Sequence, residues 1–276
     1  MIRAMTRIPD CVVCGGTVAP DGRCWHCGAV QPAFRSHLEL TADDGAAGVS
    51  DRGRRREINA DAMALTRTGG WTVGVVCDGV SMSPRSERAA QVAAEVGAHA
   101  IVEGLAAGVV PEVALGEAAA RAGRAVAALA ASVDAAPACT YVAGIAGPEG
   151  IWSAWIGDSR AYWLPDRGPG KRLTEDDTGE HDALAAWLGA GADEPVARIR
   201  SYRPREPGCL LLCTDGLTRC LPDPEGLRAV LSRRRTGSPA GGGLLDSARA
   251  LLGHALDAGG HDNITALLIP VPADGV

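Results

Sequence analysis

The sequence predicts an α+β fold in which strands and helices form separate layers. Apolar runs rich in β-forming residues follow one another along the chain, and alanine-rich segments with helical periodicity occur in pairs beside them. Because strands and helices do not alternate strictly, a parallel βαβ fold is not favoured. The chain has 276 residues, of which 46% are hydrophobic, and this is enough for one large domain with a small appendage.

The first predicted element of the main domain is a buried strand over residues 71–77, which form a short apolar run. Two helices are predicted next, over 84–107 and 111–133, because both segments are alanine-rich and begin with a proline. The remaining strands are predicted over residues 138–146, 151–156, 160–164, 199–203, 209–214 and 263–269, and the remaining helices over residues 181–188, 223–235 and 243–258.

The first 30 residues contain two C-x-x-C pairs, each followed directly by a glycine. The four cysteines are Cys11, Cys14, Cys24 and Cys27. Thiolates at this spacing are typical of a tetrahedral structural zinc site, and a segment with so small a core needs the metal to stay folded. We therefore predict a zinc-ribbon-like module at residues 1–30 that holds one Zn²⁺, a linker at 31–45 and the main domain at 46–272.

Charge and hydropathy argue against several classes of protein. The net charge of −6 does not suit a protein that coats nucleic acid. The N-terminal stretch lacks the apolar run of a secretion signal, and no run of about 18 apolar residues predicts a membrane span. We therefore expect a cytoplasmic protein without nucleic-acid or membrane partners. Its nine cysteines are then expected to be thiols or metal ligands rather than disulfides.

Five aspartates stand at the ends of apolar strands or in tight turns beside them: Asp61, Asp78, Asp158, Asp215 and Asp262. Taken singly, an aspartate in such a place is most often a turn residue or a helix cap. If the strand ends lie together, however, the carboxylates repel one another unless divalent cations lie among them. Oxygen ligands suit Mg²⁺ or Mn²⁺ rather than zinc. The sequence therefore predicts a metal centre.

Displacement at phosphorus is the chemistry that fits such a centre. Two divalent ions close together activate water and bind phosphoryl oxygens, and an arginine fork matches a phosphate group. The segment 52–56 supplies four arginines shortly before Asp61. A serine esterase, suggested by the GDS sequence at 157–159, is disfavoured because a strand-turn-strand pattern surrounds it instead of a turn into a helix.

The segments RREINADA, VVCDGV, IGDSRAY, LLCTDGL and GGHDNITALLI occur in this order between about residues 48 and 270. In this set and order the chain resembles the metal-dependent serine/threonine protein phosphatases of the PPM, or type 2C, group. The resemblance implies a four-layer αββα sandwich with the metals between two sheets at one edge. It also implies hydrolysis of phosphoserine and phosphothreonine in proteins, dependent on Mn²⁺ or Mg²⁺, with targets of a serine/threonine kinase as substrates.

The same resemblance assigns roles to the first two motifs. Arg56 matches the arginine that binds the substrate phosphate, and Asp61 matches an acidic residue near the metals. Asp78 matches the aspartate that bridges two ions, and the backbone carbonyl of Gly79 matches a ligand of one of them. A water held between the ions would be the nucleophile, so no covalent phosphoenzyme is expected.

The later motifs complete the implied centre. Asp215 and Asp262 match ligands of the other ion, and Asp158 matches a ligand of a third, weaker ion. Asn263 follows Asp262 as it does in the family and is assigned a supporting role.

Some positions depart from the family pattern. Ala60 stands where glutamate or glutamine is usual, Val80 replaces a residue that is histidine in some relatives, and Arg219 stands where an acidic residue is common. The segment 174–188 is short for the flap between these motifs. A catalytically weak relative that binds phosphoproteins or regulates another protein, with the zinc module as a docking element for a partner, is therefore the alternative.

Overall fold

The computed structural model describes residues 11–19, 22–31, 35–132, 135–191, 196–237 and 243–272. The strands are β1 (His37–Thr41), β2 (Ala47–Asp51), β3 (Ala62–Thr68), β4 (Trp71–Cys77), β5 (Ala138–Cys139), β6 (Tyr141–Gly147), β7 (Gly150–Ile156), β8 (Arg160–Pro165), β9 (Lys171–Arg172), β10 (Leu188–Gly189), β11 (Arg198–Tyr202), β12 (Gly208–Cys213) and β13 (Ile264–Val271). The α-helices are α1 (Ser86–Ala106), α2 (Pro111–Ala127), α3 (Asp215–Thr218), α4 (Pro224–Gly237) and α5 (Leu244–Asp257). Within these ranges, no helix combines the length and the apolarity that a membrane span requires.

Most of the strands belong to two antiparallel sheets. One sheet has six strands in the order β1-β2-β13-β12-β8-β9, and the other has five in the order β11-β7-β6-β4-β3. The short strands β5 and β10 pair with each other. Residues such as Val142, Leu212 and Leu267 fill the space between the two large sheets. Helices α1 and α2 cover the outer face of the five-stranded sheet, while α4 and α5 cover that of the six-stranded sheet. The predicted four-layer αββα sandwich is thus confirmed.

Strand β12 shows why the central strands are continuous apolar runs. Leu210 and Leu212 face the other sheet, whereas Cys209, Leu211 and Cys213 face the helices on the opposite side. A strand that is covered on both faces has no exposed side on which polar residues could alternate. Strand β12 is therefore buried on both faces from Cys209 to its last residue, Cys213.

Two glycines set the close approach of the sheets. Gly74 of β4 and Gly144 of β6 are register partners. A Cβ atom at Gly74 would lie 2.8 Å from a methyl carbon of Leu267, and one at Gly144 would lie 2.8 Å from a methyl carbon of Leu210. Any larger residue at either position would push the two sheets apart, because interiors are close-packed.

Two expectations from the sequence need correction. The predicted linker, residues 31–45, contains β1, which pairs with β2 and forms an edge of the six-stranded sheet. The predicted helix at 181–188 is wrong: only a single 3₁₀ turn forms, at Glu180–Asp182, and β10 follows. Backbone N–H groups in this segment donate across a hairpin-like loop, from Ala185 to the carbonyl of Asp177 and from Gly179 to that of Ala183, instead of forming a longer helix.

Candidate active site

The five-stranded sheet delivers two of the predicted aspartates to one edge of the sandwich. Ala62, the first residue of β3, is the register partner of Cys77, the last residue of β4. Asp61 directly precedes β3 and Asp78 directly follows β4, so the antiparallel pairing places their backbones side by side.

The six-stranded sheet brings Asp215 and Asp262 to the same edge. Strands β12 and β13 pair antiparallel, and the two aspartates lie just beyond the end of β12 and just before the start of β13. Asp158 lies in the turn between β7 and β8. Together with Asp78, these three aspartates line a cleft of about 110 Å³. Asp61 is buried and does not line the cleft.

Asp61 is held by two threonines that sequence reasoning did not single out. The hydroxyl of Thr214 donates to Asp61 Oδ2 at 2.9 Å, and the hydroxyl of Thr265 donates to the same oxygen at 2.7 Å. The other oxygen, Asp61 Oδ1, is buried without a hydrogen-bond partner. Burial and the charges of Asp215 and Asp262 raise the pKa of Asp61 to about 7, against the opposing effect of the threonine hydrogen bonds.

Asp78 and Asp158, two of the aspartates that line the cleft, have raised pKa values as well. Burial, followed by the charges of the other aspartates, raises the pKa of Asp78 well above its usual value. Burial and the charge of Asp215 raise the pKa of Asp158 to about 6. Asp215 Oδ1, like the free oxygen of Asp61, is buried without a hydrogen-bond partner. Clustered carboxylates of this kind are stabilised by cations, and an all-oxygen donor set with unpartnered buried oxygens fits Mn²⁺ or Mg²⁺.

Two arginines place positive charge on the carboxylates. Arg56 forms a two-pronged ion pair with Asp262, with Nε 2.7 Å from Oδ1 and Nη2 2.9 Å from Oδ2. Arg219 contacts Asp215 through Nη2 and Asp262 through Nη1, the latter at 3.1 Å. The structure thus brings the predicted phosphate-binding residue Arg56 to the cleft, where its guanidinium is joined to a predicted metal ligand. The pairing of Arg219 was not predicted.

Asn263 fixes the position of the loop before β3. Its side-chain oxygen accepts from the backbone N–H of Ala60 at 2.8 Å, and its side-chain nitrogen donates to the carbonyls of Arg52 and Ile58, each at 2.9 Å. One buried amide thus makes three hydrogen bonds, and the supporting role of Asn263 in the site stays a prediction. These bonds link the start of β13 to the segment that carries Arg56.

Gly79 has no room for a side chain. A Cβ atom there would lie 2.7 Å from the carbonyl oxygen of Ser86 and 2.8 Å from that of Ala60. The backbone N–H of the neighbouring Asp78 donates to Thr140 Oγ1 at 3.0 Å. The turn after β4 is therefore fixed by this hydrogen bond and by the close packing around Gly79. The carbonyl of Gly79 as a metal ligand stays a prediction.

The threonines at the site were missed because threonine is ordinary in strands. Thr214 directly precedes Asp215, and Thr265 lies in β13 two residues after Asn263. The only feature of the sequence that could have pointed to these two threonines is their position beside an aspartate motif. It becomes informative only when the strand register shows that both hydroxyls converge on Asp61.

The four cysteines of the N-terminal segment form a second cluster. The four sulfur atoms lie within 4.8 Å of one another; they belong to Cys11, Cys14, Cys24 and Cys27. The two C-x-x-C turns are built alike: Gly15 N–H donates to the carbonyl of Cys11 at 2.8 Å, and Gly28 N–H donates to that of Cys24 at 2.9 Å. Both glycines have a positive φ, 69° and 72°, which suits glycine best. The cluster can hold a metal ion, as the spacing predicted.

Hydrogen bonds to sulfur favour the thiolate form of Cys11 and Cys24. At Cys14, by contrast, the backbone hydrogen bond from Gly16 is outweighed by hydrogen bonds with the Cys24 and Cys27 sulfurs, which raise the pKa of Cys14 to about 12. The N–H of Val13 lies 3.4 Å from Cys11 Sγ and the side-chain N–H of Gln31 lies 3.3 Å from it. Burial acts to raise the pKa of Cys11, but backbone hydrogen bonds from Cys14 and Val13 outweigh it and lower that pKa to about 6. His26 N–H donates in the same way to Cys24 Sγ at 3.3 Å. Donors of this type stabilise the charged form that binds metal.

The cysteine module contacts the main domain near the cleft. Arg23 Nη2 lies 2.9 Å from Glu87 Oε1, and the Glu87 side chain is almost fully buried. Glu87 belongs to the first turn of α1, whose first residue, Ser86, packs its carbonyl against Gly79. The thiolate cluster and the carboxylate cluster are therefore linked through the start of one helix.

Fold and site together define a sandwich with a cleft that is lined by carboxylates and by Arg56. The family model for protein phosphatase 2C matches residues 50–240, and the chain belongs to this family. The matched region includes Arg56 and four of the five aspartates.

Curated relatives agree with this assignment. The serine/threonine phosphatase stp of Listeria monocytogenes serotype 4b (strain F2365) is 30% identical over 148 residues, which are 47% of this chain and 55% of that protein. The corresponding protein of Listeria innocua serovar 6a matches over the same length with the same identity. The chain thus spans about half the length of the curated relatives it matches.

Solved structures share the fold. The serine/threonine phosphatase Stp1 from Staphylococcus aureus has a TM-score of 0.67 at 22% identity, over 84% of this chain and 96% of that chain. A bacterial serine phosphatase has a TM-score of 0.70 at 20% identity, over 84% of this chain and 99% of that one. The PPM Ser-Thr phosphatase MsPP from Mycobacterium smegmatis, solved in complex with cacodylate, has a TM-score of 0.58 at 24% identity, over 84% and 100%.

Proposed function

We propose that this chain is a protein serine/threonine phosphatase that depends on Mn²⁺ or Mg²⁺. The observation that carries the proposal is that four aspartates line one cleft and Asp61 is buried at the same edge of the sandwich, with buried, unpartnered oxygens on Asp61 and Asp215. Family membership and the curated relatives support a phosphoprotein as substrate. Two ions are proposed at the centre, with a third, weaker one at Asp158.

Each residue of the centre has a task that its position supports. Asp78, which follows β4 and lines the cleft, would bridge the two ions, and Asp61 is oriented by the hydroxyls of Thr214 and Thr265. When bound, divalent ions of this kind supply an activated water and polarise the phosphoryl group. Arg56 would hold the phosphate by a two-pronged contact of the kind that it makes with Asp262.

The cysteine module is proposed to hold one structural zinc ion. All four ligands are thiolates, so the tetrahedral site leaves no position for water or substrate. The module carries exposed apolar side chains on both knuckles, Val12, Val13 and Trp25, which supports a role in docking a protein partner or substrate. Two further expectations stay predictions: that the substrates are targets of a serine/threonine kinase, and that the protein is cytoplasmic.

A direct test is phosphate release from a phosphothreonine peptide. Protein treated with EDTA and then dialysed is expected to be inactive, and added Mn²⁺ should restore turnover. Equal turnover with and without the divalent ion would reject the metal-dependent mechanism.

The alternative is a regulatory relative that binds phosphoproteins without hydrolysing them. It is favoured by the ion pairs of Arg56 and Arg219, which already engage Asp215 and Asp262. In the same assay this alternative predicts saturable binding of the phosphopeptide with no phosphate released at any Mn²⁺ concentration.

A further inference from the structure

Arg219 joins two carboxylates that arrive from different strands. It follows the short helix α3 and stands four residues after Asp215. Its Nη2 contacts Asp215 Oδ2, and its Nη1 lies 3.1 Å from Asp262 Oδ2. One guanidinium therefore spans the two acidic groups that the six-stranded sheet supplies to the cleft.

The charges in this contact are unequally exposed to water. The side chains of Asp215 and Asp262 are 16% and 12% exposed, whereas that of Arg219 is 61% exposed. The carboxylates are thus fixed in the wall of the cleft, and the guanidinium lies over them from the solvent side. A long exposed side chain can move away at little cost, but the buried aspartates cannot.

A divalent cation that uses Asp215 and Asp262 needs the same carboxylate groups that Arg219 contacts through their Oδ2 atoms. A bound ion also repels a guanidinium nearby, because like charges a few ångströms apart interact unfavourably even near a protein surface. Arg56 shares this conflict at Asp262 only, whereas Arg219 contacts both carboxylates.

We propose that Arg219 is an internal cation that competes with the divalent metal for Asp215 and Asp262, and so sets how much metal the protein needs. This inference rests on the proposed function, since it concerns the same centre. Arg219 stabilises the carboxylates in the metal-free protein and must release them when metal binds. Its presence weakens metal binding by the free energy of the contacts that are lost.

The size of the effect follows from the exposure of Arg219. A charge-assisted, two-carboxylate contact is stronger than an ordinary surface pair, but solvent screening reduces it, so its removal should tighten Mn²⁺ binding about tenfold. Metal-free R219A should in turn be less stable than metal-free wild type, because the repulsion among the aspartates is no longer relieved.

The test is calorimetric titration of the full-length protein with Mn²⁺ alone, after mild EDTA treatment and dialysis. The variants are R219A, R219K, which keeps the charge without the planar fork, and D78A, which removes a central ligand. The matched control is R249A, because Arg249 makes a similar two-pronged ion pair, with Glu39, away from the cleft. We expect R219A to bind Mn²⁺ about tenfold more tightly, R219K to lie between R219A and wild type, and R249A to match wild type.

The outcomes separate this inference from the proposed function. The competition is overturned if wild type binds Mn²⁺, D78A does not, and R219A binds Mn²⁺ no more tightly than wild type. Weaker Mn²⁺ binding by R219A would show that Arg219 orders the carboxylates instead. No Mn²⁺ binding to wild type or to R219A would overturn both the inference and the metal centre. The Mn²⁺-induced rise in Tm, measured on the same variants, gives an independent readout and reveals any variant that is unfolded.

Discussion

The molecule contains two clusters of proposed metal ligands that are built in opposite ways. The thiolate cluster comes from two turns in one segment, whose first and last cysteines are 16 residues apart, and backbone hydrogen bonds within each turn shape it. The carboxylate cluster joins segments more than 200 residues apart, since Arg56 meets Asp262 across 206 positions. The thiolate cluster is therefore a local structure within one short segment. The carboxylate cluster forms only when both sheets are in place.

The two clusters also differ in what they leave open. The sulfurs of Cys11 and Cys24 accept hydrogen bonds from nearby N–H groups, and all four ligands are of one kind. The aspartates instead line an open cleft, and the cluster retains buried oxygens without partners. A closed set of thiolates suits a structural ion, whereas an open set of carboxylates suits chemistry on a ligand. Mutations in each cluster can test whether the thiolates have a structural role and the carboxylates a chemical one.

The largest effect is expected from Asp78→Ala. Loss of the central carboxylate should remove metal binding and abolish hydrolysis of a small phosphoester, because the water is no longer activated. The measurement is p-nitrophenyl phosphate turnover at saturating Mn²⁺. Asp246→Ala is the matched control, since the half-buried Asp246 lies on α5 and, among the described residues, forms an ion pair with Arg249. Retention of activity in the Asp78 variant would place the chemistry elsewhere.

Asn263→Ala should show how strongly the carboxylate cluster depends on long-range contacts. The substitution removes three hydrogen bonds and leaves the N–H of Ala60 and two carbonyls without their partner. We expect a loss of about 2–4 kcal/mol in the free energy of unfolding, measured by urea denaturation. A loss below about 0.5 kcal/mol, as at an ordinary surface site, would mean that the loop holds its position without this amide.

Arg56→Ala tests whether the arginine at the cleft rim binds substrate. Loss of a two-pronged guanidinium–phosphate contact should raise KM tens-fold, or about 2 kcal/mol, with kcat largely kept. The assay uses saturating Mn²⁺, because the substitution also frees Asp262. Arg54→Ala is the control, since Arg54 lies in the same segment but its ion pair in the described part of the chain is with Asp257, at 3.6 Å. A fall in kcat with KM unchanged contradicts the binding role.

The smallest effect on small-substrate hydrolysis is expected from Cys24→Ser. The variant should lose zinc, found by metal analysis, yet hydrolyse p-nitrophenyl phosphate like wild type, because the closed thiolate site takes no part in the chemistry. Cys220→Ser is the control, as Cys220 lies outside the cluster and should leave zinc in place. A folded Cys24 variant without small-substrate activity would show that the Arg23–Glu87 contact transmits the state of the module to the cleft.

The sequence was most informative where a local pattern sufficed. The two C-x-x-C turns and the doubly buried strands β4 and β12 were predicted, because spacing and continuous apolar runs encode them directly. Strands β2 and β3 were not predicted: their alanine, glycine and methionine residues are weak strand formers. Pairing with neighbouring strands supplies what local preference lacks.

The aspartates of the centre were predicted from their positions at strand ends, but their partners were not. Thr214 and Thr265 meet Asp61 only through the pairing of β12 with β13. Arg219 is four residues from Asp215, yet its second contact, with Asp262, depends on the fold of the whole sheet. Contacts between side chains from distant strands are set by register and packing, which a single sequence does not display.

The most direct measurement of the central claim is anomalous X-ray diffraction from crystals grown with Mn²⁺, recorded at the manganese and zinc absorption edges. The account predicts manganese peaks among Asp78, Asp215 and Asp262, and one zinc peak at the centre of Cys11, Cys14, Cys24 and Cys27. Absence of manganese from the carboxylates while the protein hydrolyses phosphopeptide, or manganese at the thiolates alone, would contradict the assignment of chemistry to one cluster and structure to the other.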